Sequence, residues 1–332
     1  MTRLISALLI SLALGAGAQS RAPKASAPVL GRVAEVPLPG PAVRFDYQSI
    51  DTTANRLYIS HMNAGELVVF DLKGRKVEGT VSDLPRITGV WSVPALGKVY
   101  ASVPGRHQVA VIDARTPRVE ARVGQIGFPD GIAYAPDVKK VYVSDESGGG
   151  ELVIDGPTNH VVTTVPLGGE AGNTVYDPGS GQILVAVQTR NEVVAIDPRT
   201  DRIIARHRLT GASHPHGMAV DASGRLLFVA NEGNATLLIV DLKTMRITGH
   251  LSVGEDPDVL AFDPEWHRLY VAAESGEVTV FAERNGSLAP EGRITMPHAH
   301  TVSVDPRTHL VYIPLKDVEG HPLLRIMAAR HR

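Results

Sequence analysis

His214-Pro215-His216 is followed forty-two residues later by Asp256-Pro257-Asp258 and, after the same interval again, by His298-Ala299-His300. Imidazole and carboxylate together bind divalent transition metals such as Zn, Mn or Fe. Six such groups at a fixed spacing are the strongest chemical signal in the chain. Alternate residues of an extended segment point the same way, so each pair is expected to present both groups to one place. His216, Asp258 and His300, deepest in their segments, are the expected principal ligands. His214 and His298 are expected to act as outer ligands or to orient the others, with Asp256 completing the set. The same groups could instead hold a metal-free polar ligand, or merely cap strand ends and line a water-filled channel.

What must position these pairs is a repeat. An apolar pair recurs at Leu57-Tyr58, Val99-Tyr100, Val141-Tyr142, Ile183-Leu184, Leu227-Phe228, Leu269-Tyr270 and Val311-Tyr312, every 42 residues except for one interval of 44. Asp51, Asp177, Asp221, Asp263 and Asp305 precede these pairs, and Asp71, Asp113, Asp155, Asp197, Asp241 and Glu283 follow them. Both acidic series read as turn residues that accept backbone N–H bonds. Between the turns lie short apolar runs without helical periodicity. In the fifth repeat they are Gly217–Val220, Leu226–Ala230, Thr236–Val240 and Arg246–Val253. Four short strands per repeat of about 42 residues predict an all-β fold, a seven-bladed β-propeller.

The last repeat supplies strands only at Thr301–Val304, Leu310–Ile313 and roughly Leu323–Ala328. Gly31–Leu38 resembles fourth strands elsewhere and is expected to complete the seventh blade, closing the ring and removing open edges. Along the first strands, small residues (Ser49, Ala133, Ala219, Ala261, Ser303) sit next to large ones (Ile50, Tyr134, Tyr176, Val220, Phe262, Val304) that face the opposite side. Small against large fills the space between blades. Trp91 falls at a small position and predicts local repacking there.

In a propeller the loop entering the first strand and the loop between the second and third strands share one face. Two rings of entering positions, Arg44/Arg86/Phe128/Glu170/His214/Asp256/His298 and Asp46/Thr88/Asp130/Gly172/His216/Asp258/His300, therefore meet His61, Asp145, Glu146, Asn231, Glu232 and Glu274 at one mouth of the channel. Asp46, Asp130 and these six loop residues are candidate ligand-binding groups. If the protein is an enzyme, a metal-dependent hydrolase or lyase acting on a lactone-like or ester substrate is the expectation, with Glu232 or Glu274 as general base. The chain contains no Gly-x-Ser-x-Gly elbow, no phosphate loop in a strand–loop–helix context and no cysteine. The lead expectation is recognition of a protein, glycan or small molecule at the mouth without catalysis. His107, His160, His207, His250, His267, His309, His321 and His331 are scattered and read as surface residues.

The chain of 332 residues is 43% hydrophobic and 20% charged with a net charge of -2, which gives no basic footprint for nucleic acid. Arg3, the apolar run Leu4–Leu14 and Ala16-Gly17-Ala18 predict a signal peptide over residues 1–18. Residues 19–29 read as a flexible leader and residues 30–332 as one propeller domain. A periplasmic or secreted monomer with no membrane span follows.

Phe228-Val229-Ala230-Asn231 followed by Ile239-Val240-Asp241-Leu242-Lys243-Thr244, with Val111–Thr116 and Ala195–Thr200, resembles the YVTN-type repeat of YncE-like bacterial propeller proteins. The resemblance extends from about residue 31 to the end and implies an exported seven-bladed propeller. The repeat's Asn survives only at Asn231, replaced by His61, Val103, Asp145, Val187, Ala273 and Leu315. More distant similarity reaches seven-bladed lactonases and virginiamycin B lyase, but no catalytic motif carries over to this chain.

Overall fold

The computed structural model describes residues 29–329, so the expected signal segment and nearly all of the leader lie outside the described residues. Seven four-stranded antiparallel sheets follow one another in chain order. The first is Gln48–Asp51, Arg56–His61, Glu66–Asp71 and Lys76–Val81. Its strand ends coincide with the turn residues: Asp51 Oδ1 accepts the N–H groups of Thr53 and Ala54 at 2.9 and 2.8 Å. Asp241 Oδ1 does the same for Lys243 and Thr244 at 2.7 and 3.0 Å. The acidic series are turn clasps, as their spacing predicts.

The seventh sheet combines both ends of the described chain. Ser303–Val304, Leu310–Val318 and His321–Ala329 are joined on the outside by Leu30–Pro37. The register runs antiparallel from Leu30 opposite Ala329 to Pro37 opposite Leu323. Leu30 is buried among residues of blades 6 and 7, and Leu38 among residues of blades 7 and 1. Each blade-to-blade interface holds its own apolar cluster, and the cluster that joins Tyr312, Leu324 and Ile326 to Phe45, Leu57 and Phe70 shuts the ring.

Tyr58, Tyr100, Tyr142, Phe228, Tyr270 and Tyr312, the recurring large residues of the second strands, are at most 1% exposed. Burying such a side chain contributes about 1.5–3 kcal/mol. The Tyr100 hydroxyl donates to Gly156 O at 3.0 Å, tying blade 2 to a turn of blade 3 and satisfying the polar tip that a buried tyrosine carries. Trp91 departs from expectation. It stays 42% exposed and does not enter the packed interface. No helix among the described residues is long and apolar enough to cross a membrane.

Candidate metal centre

Four inner strands start with the same irregularity. The pairing with the second strand shifts between Pro129 and Ile132, Ala171 and Thr174, Pro215 and Met218, and Pro257 and Leu260. A bulge releases residues from the ladder and re-aims their side chains. Asp130, His216 and Asp258 are the first residues inside three of these bulges, while Gly172 leaves the fourth without a side chain. In blades 1 and 7 the strands begin later, and Asp46 and His300 precede them. These five side chains belong to residues only 3–7% exposed.

They meet across the channel. His300 Nε2 lies 2.9 Å from Asp258 Oδ2 and 3.4 Å from Asp46 Oδ1. His216 Nε2 lies 3.3 Å from Asp258 Oδ1 and 3.8 Å from Asp130 Oδ2. Ligand atoms of Asp46, Asp258 and His300 fall within 4.8 Å of one another, as do those of His216, Glu232 and Asp258. The buried His216 Nδ1 and Asp258 Oδ1 have no hydrogen-bond partner. Above them, Glu274 Oε1 lies 3.4 Å from His300 Nδ1, and Glu232 Oε1 lies 3.8 Å from His216 Nδ1. Gln188 Nε2 donates to Glu146 Oε1 at 3.4 Å.

Six carboxyl groups (Asp46, Asp130, Asp258, Glu146, Glu232, Glu274) thus face three bases, Arg44, His216 and His300. The imbalance shows in the protonation. Burial and the Asp46 charge push Asp130 up to about 8. Burial holds Glu146 and Glu232 above the usual carboxylate range against the pull of His216. Burial pushes Asp258 the same way, but the two imidazoles overcome it and hold its carboxyl below that range. His300 would be lowered by burial, yet the charge and hydrogen bond of Asp258 carry it to about 10. His216 is raised in the same manner.

One nitrogen is over-subscribed. Arg44 Nη2 lies 2.9 Å from His300 Nε2, and a guanidinium can only donate. Asp258 Oδ2 approaches the same nitrogen at 2.9 Å, and a carboxylate can only accept. A lone pair on Nε2 suits Arg44, whereas a proton suits Asp258; a single imidazole state cannot satisfy both.

The outer positions behave differently from expectation. His214, Asp256 and His298 have φ of +50°, +52° and +68°, so the chain there is left-handed and the alternation of an extended strand does not apply. All three are exposed. Their backbones have a task instead. The carbonyls of His214 and Asp256 accept the N–H groups of Glu232 and Glu274 at 3.0 and 2.9 Å, and Phe128 O accepts that of Glu146 at 2.9 Å. The entering loops thereby fix the acids of the neighbouring loops over the channel.

The other loop residues expected at the mouth serve the fold. His61 is fully buried and stacks on Phe45 with ring centres 4.1 Å apart. Asp145 accepts backbone N–H bonds from Gly127, Phe128 and Gly148. The Asn231 amide donates to Val229 O and Thr236 O, both at 3.2 Å. His309, read as a surface residue, is an interblade partner, with Nδ1 2.8 Å from Asp263 Oδ2.

Two residues of the site are not among the expected ligands: Arg44, known only as a position of the entering ring, and Tyr47. Arg44 contacts both His300 and Glu274, the latter at 3.1 Å. The Tyr47 hydroxyl lies 3.1 Å from Asp130 Oδ2 and 3.1 Å from His216 Nε2, bridging blades 1, 3 and 5. Burial and the Asp130 charge raise its phenol, so it remains a donor. A signal for Tyr47 existed. The equivalent positions are Gly89, Gly131, Asn173, Gly217, Val259 and Thr301. A Cβ on Gly89 or Gly217 would strike the carbonyl oxygen of Asp130 or Asp258 in the next blade. A tyrosine in such a series must leave the interface, and here it reaches over the channel.

No family model and no curated protein matches the chain in sequence. Among solved structures, a chain of Kuenenia stuttgartiensis hydrazine synthase is similar, with a TM-score of 0.75 and 16% identity over 88% of this chain and 96% of that one. The likeness establishes the class, a seven-bladed β-propeller, and at this identity it speaks to the fold alone.

Proposed function

We propose that this protein is an exported recognition propeller of the YncE-like, YVTN-repeat kind, built around one divalent transition-metal ion at its channel mouth. The observation that carries the metal is a pair of largely buried ligand triads, Asp46–Asp258–His300 and His216–Glu232–Asp258, that share Asp258, whose Oδ1 makes no hydrogen bond. His300 Nε2, with the carboxylates of Asp258 and Asp46, is the primary ligand group; His216 and Glu232 adjoin it through the shared Asp258. A nitrogen and oxygen donor set of this kind suits Zn, Mn or Fe. A cation also relieves a tension in the cluster, its excess of carboxylates. At the same level the Tyr47 hydroxyl bridges Asp130 and His216. A protein, glycan or small-molecule partner would then meet the rim, where the side chains of Glu232 and Glu274 are 35% and 42% exposed.

A second reading, a metal-dependent hydrolase or lyase, draws on Glu232. Its raised carboxyl at the rim is suited to accept a proton near the metal, whereas Glu274 is engaged by Arg44. Chelator-stripped mature protein titrated with Zn²⁺ and Mn²⁺ tests the metal. His300→Ala and Asp258→Asn should each weaken the axial ion by at least about 10–100-fold, the range seen even for groups that only support a ligand. Unchanged affinity in both variants would leave the cluster as channel lining.

A further inference from the structure

A second cluster lies at the seam between blades 5 and 6, on the turns that join first to second strands. Asp221 ends the first strand of blade 5, His267 occupies the first turn of blade 6, and Glu283 belongs to the third strand of blade 6. One ligand atom from each falls within 4.8 Å of the others. Asp221 is 0% exposed and Glu283 8%, while the imidazole is open to solvent.

Asp221 differs from its counterparts at the other seams. Each of the five aspartates at this repeat position clasps its own turn with at least one oxygen. Four of them also find a side-chain donor for the second oxygen, three of these from the next blade. Asp51 Oδ2 accepts from Ser92 Oγ at 3.1 Å, Asp177 Oδ2 from Arg225 at 2.7 Å, and Asp263 Oδ2 pairs with His309 Nδ1 at 2.8 Å. Asp305 Oδ2 takes the guanidinium of Arg307 at 3.1 Å. Asp221 Oδ1 accepts Ser223 N, Ser223 Oγ and Gly224 N at 3.0, 2.8 and 2.9 Å, but Oδ2 is buried with no partner.

His267 is the repeat equivalent of Arg225 and His309, the residues that serve this oxygen in the neighbouring seams. It pairs instead with Glu283, Nδ1 to Oε2 at 3.0 Å. Glu283 Oε1 is already fixed by Gly286 N at 2.7 Å. A buried acceptor without a donor, beside a second carboxylate and an imidazole, excludes an anion. We propose that Asp221, Glu283 and His267 form a second divalent-metal site that staples blade 5 to blade 6. Two carboxylates balance a divalent charge, and one nitrogen with two oxygens suits Zn²⁺ or Mn²⁺. Closing such a site needs ligand atoms roughly 3–3.5 Å apart around bonds near 2.1 Å, a small movement for an exposed imidazole. The site stands independently of the axial one.

The test uses chelator-stripped mature protein carrying His216→Ala and His300→Ala, titrated with Zn²⁺ by equilibrium dialysis and followed by thermal melting. One Zn²⁺ should remain, and at about 100 times its Kd it should raise Tm by about 5 °C. Adding His267→Asn, which tolerates the left-handed φ of +50° at this turn, should abolish both effects, and Glu283→Gln should weaken binding at least about 10-fold. If the axial variant does not fold, His267→Asn in the otherwise unaltered protein should lower bound Zn²⁺ by one equivalent. Zn²⁺ content and melting shift insensitive to His267→Asn and Glu283→Gln, or no Zn²⁺ bound at this seam, would overturn the proposal and leave Asp221 Oδ2 to a water molecule.

Discussion

Removing Leu30 or Leu38 tests whether the ring is held shut by the N-terminal strand. Leu30 is 2% exposed and Leu38 6%, whereas Val33 between them is 41% exposed at a bulge. Truncating a buried leucine to alanine costs about 2–5 kcal/mol, the transfer of its methyl groups plus the cavity left behind. For a domain of this size that is roughly 5–15 °C in Tm. The two leucines enter different clusters at opposite ends of the strand, so their effects should add. The double variant would lose about 4–10 kcal/mol, comparable to the whole stability of an ordinary domain. Circular dichroism melts of Leu30→Ala, Leu38→Ala, the double variant and Val33→Ala measure this directly. Val33→Ala should stay within about 0.5 kcal/mol of the parent. If the leucine variants melt with the parent, or Val33→Ala is equally costly, the N-terminal strand does not close the ring.

Three further outcomes are expected. Binding of a metal at the mouth must displace protons from imidazoles whose values lie above the usual 6.5, His300 at about 10; affinity should therefore climb through pH 7–9 rather than level off, and calorimetry in buffers of different ionisation heat should register proton release. Tyr47→Phe removes the hydroxyl that donates to Asp130 and contacts His216 Nε2 and should weaken the metal about 10–100-fold without loss of fold, whereas His214→Ala should leave affinity at the parent value. If residues 1–18 are a signal peptide, protein exported by a bacterial host should begin near Gln19 by mass spectrometry; recovery of intact Met1 only from cytoplasm would contradict export.

The architecture was legible because it is carried by spacing. Apolar pairs every 42 residues, turn aspartates on both sides of them and a missing last strand leave few alternatives to a closed seven-bladed ring. The site was legible only in part. His216, Asp258 and His300 were visible as recurring polar residues at strand entrances. The inference that His214, Asp256 and His298 join them assumed extended backbone, whereas all three have positive φ. Tyr47 and Arg44 act through contacts across the channel, between residues 83 to 256 positions apart in sequence. A comparison of equivalent repeat positions shows that Tyr47 is unusual but not where its hydroxyl ends. His309 looked scattered because its partner is Asp263, a turn aspartate of the preceding blade, which spacing alone assigns to its own turn.

Anomalous diffraction from crystals of the protein grown with Zn²⁺ or Mn²⁺ decides whether an ion sits in the channel. A peak is expected on the channel axis among Asp46, His216, Asp258 and His300, at about 2.0–2.2 Å from at least one imidazole nitrogen. Only water between these side chains, at metal concentrations that saturate binding in solution, would contradict it.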